Sequence, residues 1–439
     1  MKIFPLPIAA RSAQRHQRGA ATLVVVMLLF FVVSLVAAYT SRNLIFEQRT
    51  SANQYRSTQS FEAAEAGLEW ALAMLNSGRV DDDCLPTLDT SQGNFRERYL
   101  ITDNTTGIVT RNPAAGPARW AAACSFVGGN WICKCPTVAA TALDAGSLAV
   151  EGPAFGVRFV SQINKPGLIR VEVNGCADYN FGCITGATGS IAAVNFCQST
   201  VCSLLALHSG AKSPPYAAIT ARGNIGGASL AATNTSVVVG GVTLHAGGAV
   251  TAPATLTSTP GTPPLQSIRA GSTALSGLPV DTSDCLECTF VSVFGLRPQT
   301  YREQPSVLEV DCAVACSAVN VNNALTTARS RIVWLRNGGG LTLASATDII
   351  GAPADPVVLV IEGPLTISAG ATAAATIHGL VYAGSAGIDS GRVQGALVTA
   401  GNVVGNGNAL VIYDPAALDR LRLTSGSFVR IPGAWRDFP

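Results

Sequence analysis

The most regular hydrophobic pattern in the chain lies near its start. Residues 20–39 read AATLVVVMLLFFVVSLVAAY and are apolar at almost every position. An α-helix of about 20 residues rises roughly 30 Å, the thickness of the hydrocarbon layer of a bilayer. The pattern therefore predicts a helix that can cross a membrane, and its apolar run is longer than the core of an ordinary secretory signal. A signal anchor that is never cleaved is the alternative.

The helix is predicted to continue past Tyr39, because residues 40–77 hold no proline and a single glycine, Gly67. Apolar residues recur there at steps of three and four, and glutamates share the opposite face. The apolar face is Phe61, Ala64, Leu68, Ala71, Leu72 and Leu75, and the acidic face is Glu62, Glu65 and Glu69. Gly78 is a suitable C-cap, so we expect one helix over residues 20–77.

After residue 80 the chain becomes rich in glycine, alanine, threonine and valine, a composition that favours short strands and tight turns. Residues 154–176 alternate between apolar and polar positions on both sides of the turn sequence INKP. This pattern predicts a β-hairpin, which we expect to pack on the apolar face of the helix.

A repeat follows nearer the C-terminus. Similar units of an apolar residue, a polar residue, glycine and an alternating strand begin at Ile361, Ile377 and Val393, and a further step of 16 residues reaches Ala409. Residues 223–248 show a similar pattern of glycines between short apolar stretches. Such repeats predict a β-solenoid or a strongly coiled parallel sheet. A β-meander or sandwich is the alternative, because antiparallel strands can also recur at regular spacing.

The tail is predicted to close this region. Pro415 suits the first turn of a helix, and Leu418, Leu421 and Leu423 give that short helix an apolar side that could cover an open sheet end. Trp435 and Phe438 are expected to pack in a core.

All cysteines follow the apolar segment, which indicates disulfides formed in an oxidising compartment. The twelve are Cys84, Cys124, Cys133, Cys135, Cys176, Cys183, Cys197, Cys202, Cys285, Cys288, Cys312 and Cys316. Their pairing cannot be read from the sequence. The alternative for the last four is a structural zinc site, because a CxxC pair is followed by a second pair of cysteines.

Charge and candidate catalytic residues argue against several other functions. The net charge is +2 with 13% charged residues, so nothing indicates nucleic-acid binding. Glu362, His378 and Gln394 occupy matching repeat positions without a second acid, and His208 and His245 have neither a nucleophile signature nor metal-ligand spacing. The acidic run at residues 81–84 lacks the alternating oxygen ligands of a calcium loop. We therefore expect no enzyme activity, no cofactor and no metal.

Two stretches resemble type IV pilins, and most closely PilX-type minor pilins: the start QRGAA and the run FEAAEAGLEWALAML. The tail sequences YDPAALDRL and IPGAWRDF are also similar to the C-terminal region of large PilX-like proteins. The resemblance implies that a prepilin peptidase cuts after Gly19 and that Ala20 becomes a methylated N-terminus. It further implies a helix that moves from the inner membrane into a filament core, through Leu23, Val24, Val25, Leu28, Leu29, Phe30 and Phe31.

The implied role is a structural subunit that helps to start or stabilise a type IV pilus, in contact with major and minor pilins and a PilY-type tip adhesin. Major pilins carry a glutamate at the fifth mature position, whereas this chain has Val24, which suggests a place at or near the tip. Lys2, Arg11, Arg15 and Arg18 predict a cytoplasmic N-terminus, with the rest of the chain across the membrane. The resemblance implies a periplasmic C-terminus before assembly and an extracellular pilus afterwards. A tip adhesin and a type II secretion pseudopilin are the alternatives.

The predicted fold class is α+β, with a long N-terminal helix, a pilin-like β head and a mainly-β C-terminal domain that resembles a β-solenoid. The expected divisions are a leader at 1–19, the membrane and amphipathic helix at 20–80, a cysteine-rich head at 81–215 and a glycine-rich repetitive domain at 216–439.

Overall fold

The structure is a computed structural model that forms two compact units, Met1–Thr58 and Gln59–Pro439. It describes residues 18–89, 91–112, 122–135, 152–178, 198–227, 229–251, 255–278, 285–328, 331–336, 338–372, 374–406 and 408–435.

Seven α-helices lie in the described part of the chain. They are α1 (Arg18–Leu75), α2 (Phe95–Tyr99), α3 (Thr273–Ser276), α4 (Cys285–Phe294), α5 (Pro298–Arg302), α6 (Ala318–Ala328) and α7 (Pro415–Thr424). The predicted long helix is thus confirmed as α1, within two residues at each end.

The described strands form a small hairpin and two sheets. They are β1 (Leu100–Thr102), β2 (Val109–Arg111), β3 (Ala122–Val127), β4 (Asn130–Lys134), β5 (Ala154–Ser161), β6 (Leu168–Cys176), β7 (Gln198–Ser209), β8 (Ile219–Ala221), β9 (Ile225–Gly226), β10 (Ala231–Thr233), β11 (Leu244–Ala246), β12 (Val250–Thr251), β13 (Thr255–Thr257), β14 (Ile268–Arg269), β15 (Val307–Asp311), β16 (Ile332–Arg336), β17 (Leu341–Leu343), β18 (Ile349–Ile350), β19 (Val357–Ile367), β20 (Thr376–Ile388), β21 (Arg392–Thr399), β22 (Val403–Gly405), β23 (Leu410–Tyr413) and β24 (Gly426–Arg430).

The antiparallel sheet has six strands in the order β24-β7-β6-β5-β3-β4. Strands β5 and β6 pair from Ala154 opposite Cys176 to Ser161 opposite Ile169, which confirms the predicted hairpin. Strand β24 comes from the far end of the chain and pairs with β7. The tail, assigned to the repetitive region from its sequence, therefore contributes a strand to the antiparallel sheet.

The C-terminal part of α1 packs across this sheet as the apolar face predicted. Ala64, Leu68, Ala71 and Leu75 are buried in one cluster with side chains of β5 and β6, and Glu62, Glu65 and Glu69 are exposed. The helix and the sheet approach closely at Gly175, because a Cβ there would lie 2.0 Å from the Ser60 carbonyl oxygen and 2.4 Å from the Ala64 nitrogen.

The second sheet has 16 strands, and all its described pairings are parallel. This finding excludes the β-meander and sandwich alternatives for these strands, which require antiparallel neighbours. Closure of the stacked strands into a β-solenoid stays a prediction.

The 16-residue spacing of the repeats coincides with the strand pairing at one step. Ile377 pairs with Val393. Ile361, however, pairs with Ala383, and Val393 pairs with Val411 rather than Ala409. The connections between the strands differ in length, so a fixed period in the sequence does not give the pairing.

Strands β8 to β14 extend the parallel sheet beyond β21, β22 and β23, which come later in the chain. Strand β8 pairs with β21 through Ile219 and Leu397, β9 pairs with β22, and β10 pairs with β23. Strands β11 to β14 then continue the three ladders. Residues 223–248 thus belong to the same parallel sheet, as their pattern predicted.

A helix covers one end of the parallel sheet, but it is not the predicted one. Helix α6 contacts β15, β17 and β18, which lie at that end of the ladders. The C-terminal helix α7 forms over the predicted residues, with the Asp414 side chain accepting the Ala417 N–H at its start. It packs on β7, β20 and β21, so it lies between the two sheets rather than over an end.

The predicted core role is wrong for Trp435 and stays a prediction for Phe438. Trp435 is 38% exposed and contacts Phe61 edge-on at a ring distance of 6.1 Å. It therefore packs at the surface. Phe438 lies outside the described residues.

We predict that Gly175→Ala destabilises the second unit, Gln59–Pro439, hereafter the body, by about 3 kcal/mol. The added methyl group would overlap the α1 backbone and force the helix off the sheet. Gly387→Ala is the matched control, since it also lies in a strand and an added Cβ there meets no atom within 4 Å. Chemical denaturation of the detergent-solubilised full chain measures both. Equal stability of the two variants would show that the close approach at Gly175 is not a constraint.

Candidate functional site

The exposed surface of the first unit is apolar at its N-terminal end. All seven predicted filament-core residues are between 57% and 74% exposed: Leu23, Val24, Val25, Leu28, Leu29, Phe30 and Phe31. The helix from Ala21 has an 18-residue window of mean hydropathy 2.9 and is long and apolar enough to cross a membrane. Gly19 and Ala20 lie in the first turn of α1, and their side chains are outside the described set.

This surface cannot remain in water. Burial of a Val, Leu or Phe side chain contributes about 1.5–3 kcal/mol, so the seven residues together represent on the order of 10 kcal/mol. A contiguous apolar patch of this kind marks contact with lipid or protein. The arrangement supports insertion into a membrane or packing among other apolar helices.

After Tyr39 the surface of the helix becomes mixed, because charged and polar residues alternate with the exposed Leu44, Ile45 and Phe46. Thr40 follows Tyr39 and bonds back to the Val36 carbonyl at 2.9 Å, and the next turns carry Arg42 and Glu47. Every described side chain from Ala21 to Thr58 is exposed. The helix therefore offers an apolar segment for burial and a mixed segment after it.

Three disulfides have both cysteines among the described residues, and they confirm the predicted cysteine chemistry in part. They join Cys84 to Cys135, Cys124 to Cys133 and Cys312 to Cys316. The last bridge contradicts the zinc alternative, which needs both sulfurs as thiolate ligands.

The remaining cysteines divide into three groups. Cys176 is disulfide-bonded. Cys202 and Cys288 are thiols, in contrast to the predicted bridges. Cys183, Cys197 and the Cys285 side chain lie outside the described residues.

The polar residues at matching repeat positions do not form one site. His378 and Gln394 are neighbours in register on β20 and β21, and burial lowers the pKa of His378. Glu362 lies apart on β19, where it accepts a hydrogen bond from Trp334 Nε1 at 2.8 Å. The carboxylate is thus used in a structural contact.

The other candidates are also held in local contacts. His245 Nε2 lies 2.9 Å from Ser272 Oγ, and burial lowers the pKa of the imidazole. His208 lies on β7 opposite Ser427. At residues 81–84, the Asp81 carboxylate accepts the N–H groups of Asp83 and Leu85 and closes a turn. Among the residues that the structure describes, no group of three His, Cys, Asp or Glu side chains is placed to hold a metal ion.

Sequence reasoning missed two polar residues near the end of α1. Asn76 bonds to strand β24, and the buried Arg79 donates to the Thr326 carbonyl of α6 at 2.6 Å. Their partners are 352 and 247 residues away, so no local pattern could have indicated these contacts.

Comparison with known proteins found a family to which the apolar helix is similar. Residues 18–69 match the family described as PilX N-terminal. One similar solved structure is the competence-associated pilin ComZ from Thermus thermophilus, with 12% identity, a TM-score of 0.21, and coverage of 87% of this chain and 97% of that chain. No curated protein matches the sequence.

We predict that the disulfide closing the longer loop stabilises the unit Gln59–Pro439 more than the disulfide closing the shorter loop. Removing Cys84–Cys135, with a separation of 51 residues, should cost about 4 kcal/mol, and removing Cys124–Cys133, with a separation of 9, about 3 kcal/mol, because the larger loop gains more entropy on unfolding. Double alanine variants compared by chemical denaturation test this order. The reverse order would contradict it, and a chelator should leave the wild-type midpoint unchanged.

Proposed function

We propose that the chain is a structural subunit of the minor-pilin type that promotes initiation or stabilisation of a type IV pilus. The match of residues 18–69 to the PilX N-terminal family supports this proposal. The observation that carries the proposal is the exposed apolar segment of α1. Its described side chains are exposed and need an apolar environment.

The same segment suits both stages of assembly. A helix that is apolar on all sides is stable in lipid, and it is equally stable among similar helices in the centre of a fibre. Transfer between the two therefore costs little. Before assembly we place the chain in the inner membrane with a single pass and a periplasmic C-terminus, and afterwards in the extracellular pilus.

Processing is proposed to create the assembling form. Lys2, Arg11, Arg15 and Arg18 keep the leader in the cytoplasm by their charge. A prepilin peptidase would cut after Gly19, and Ala20 would become the methylated first residue. Removal of the basic leader leaves an N-terminus that an apolar fibre core can accept.

We further propose that the subunit sits at or near the tip. Position five of the processed chain is Val24, which is 58% exposed in the isolated chain and has no charge. A glutamate there could pair with the N-terminal ammonium of the subunit ahead, and such a pair is strong in a low-dielectric core. Without this glutamate, the chain cannot form one of the contacts between successive subunits of the pilus shaft. It therefore suits a terminal position, where no subunit lies ahead of it.

The partners proposed on this basis are the major pilin, other minor pilins and a PilY-type tip adhesin. The pilins would contact α1 through its apolar segment. The large body with its parallel sheet would stand at the fibre end, where the enlarged size of a single subunit does not disturb a helical lattice. The role proposed is structural rather than enzymatic.

We predict that wild-type protein is found at pilus ends and that Val24→Glu redistributes it along the shaft, because the new carboxylate supplies the missing partner of the N-terminal ammonium. Immunogold electron microscopy of intact pili gives the label density per unit length. Val25→Glu is the matched control, since it adds the same charge about 100° around the helix. That variant should reduce incorporation, because an unpaired buried carboxylate costs several kcal/mol.

Dense label along the whole shaft in the wild type would contradict the tip position. Label absent from all pili, with the chain retained in membranes, would contradict membership of the fibre.

A further inference from the structure

The body contains a cleft of about 440 Å³ whose walls come from several elements. They are β1, the residues around the start of β15, the residues that follow α1 and the turn between α7 and β24. Binding sites for ligands are commonly clefts of about 300–1,000 Å³ at junctions of this kind. The cleft therefore has the size and the position of a binding site, and its walls indicate what it can bind.

One wall is the open edge of a strand. Strand β1 pairs only with β2 among the described strands. The Asp103 N–H donates to the Ile108 carbonyl at 3.0 Å. The Asn112 N–H donates to the Tyr99 carbonyl at 2.8 Å. Because backbone groups alternate in direction along an antiparallel strand, those of Thr102 point away from β2. Thr102 lines the cleft, so its N–H and C=O face the space that a ligand would occupy.

The other strand of the hairpin lies against the antiparallel sheet. Strand β2 contacts β5 and β6, so β1 is the outer strand. An isolated two-stranded hairpin is marginally stable in water, and a third strand beside β1 would add backbone hydrogen bonds. Many peptides are recognised in this way: an extended segment adds a strand to a sheet edge, and pockets for its side chains give specificity. The edge of β1 therefore suits an extended peptide.

Helix α2 leads directly into β1 and places Arg96 in the wall of the same cleft. The Arg96 Nη1 donates to the Gly426 carbonyl at 3.2 Å, and its Nη2 donates to the Thr424 carbonyl at 2.6 Å. Its guanidinium carbon lies 4.8 Å from the centre of the Phe428 ring. These partners are all uncharged. Burial lowers the pKa of Arg96 to about 10, because the cation has lost water without gaining an ion pair from a described residue.

The other charged side chains of the cleft do not neutralise Arg96. Arg331 and Asp355 pair with each other. The neighbouring Glu97 favours the charged form of Arg96, but Glu97 is exposed to water, which weakens its field, and burial outweighs it in the pKa of Arg96. A carboxylate that entered the cleft would give Arg96 the charged hydrogen bonds that its carbonyl partners do not.

We propose that the cleft binds an extended peptide that carries a carboxylate side chain. The peptide backbone would pair with the open edge of β1, and the carboxylate would bind the Arg96 guanidinium. Charge complementarity with Arg96 selects an acidic peptide, and the described lining of the cleft holds no aromatic side chain on which a sugar or a nucleobase could stack. This binding would be a property of the body alone and is independent of the proposed place in the pilus.

The probe is a fluorescein-labelled peptide, Thr-Val-Glu-Val-Thr, compared with Thr-Val-Gln-Val-Thr on the full chain in detergent micelles. Fluorescence anisotropy should show that the glutamate peptide binds at least about tenfold more tightly than the glutamine peptide, because only the carboxylate forms charged hydrogen bonds with Arg96. Arg96→Gln should bring this ratio to about one. Arg297→Gln is the matched control and should leave the ratio unchanged, since Arg297 is exposed and lies outside the cleft.

Arg96 also bonds to residues of its own chain, so a second variant covers the case in which Arg96→Gln does not fold. Glu97→Gln removes the competing carboxylate, so it should tighten binding of the glutamate peptide about twofold or more and leave binding of the glutamine peptide unchanged. Unchanged affinity of Glu97→Gln for the glutamate peptide would overturn the proposal. Equal affinities of the wild type for the two peptides, or no binding of either, would do the same.

Pairing with β1 is measured by hydrogen exchange at the Thr102 amide. This exchange should be fast in the free chain and at least about tenfold slower with saturating glutamate peptide, because an added strand supplies the acceptor. Exchange that the peptide does not slow would contradict the proposal. Slow exchange in the free chain would show that another segment of the chain covers the edge, and slowing that rises with chain concentration would show a second copy there. Either result would also overturn the proposal.

Discussion

The rest of the structure depends on one constraint: the apolar side chains of α1 from Ala21 to Tyr39 are exposed and must be kept from water. The hydrophobic cost of this exposure is as large as the stability of a typical domain. The chain is therefore incomplete until lipid or other helices surround this segment. The charged N-terminus and the charged and polar residues after Tyr39 set the two limits of the buried part.

The same helix also organises the body. Its C-terminal turns lie on the antiparallel sheet, where Gly175 allows the two backbones to approach closely. Beyond Leu75, Asn76 meets β24, and Arg79 reaches the end of α6. Contacts at the C-terminal end of α1 thus connect the antiparallel sheet to α6, the helix that covers one end of the parallel sheet. Both sheets of the body are held by residues that directly follow α1.

Sequence patterns correctly predicted the features that depend on interactions between residues close in sequence. The bounds of α1, its apolar and acidic faces, the hairpin at residues 154–176 and the capped helix at Pro415 all depend on residues close in sequence. The repeats likewise predicted a parallel sheet, because each unit contains a glycine followed by a strand of alternating apolar and polar residues. The family resemblance in the first helix came from a compact motif and was supported by the match at residues 18–69.

Long-range pairing could not be predicted. The strand connections vary in length, so the 16-residue spacing does not give the pairing of Ile361 or of Val393 with Val411, and the helix over the sheet end proved to be α6 rather than α7. The partners of Asn76 and Arg79 lie hundreds of residues away and follow from the folded arrangement alone. The two thiols, Cys202 and Cys288, show that an even count of cysteines does not fix which of them pair.

The most direct test of the central claim is mass spectrometry of the N-terminus of this chain, recovered from sheared and purified filaments. The account predicts a processed chain that begins at methylated Ala20, with the apolar helix in the fibre. A chain that retains Met1 and occurs only in the membrane fraction of cells with an active processing peptidase would contradict it.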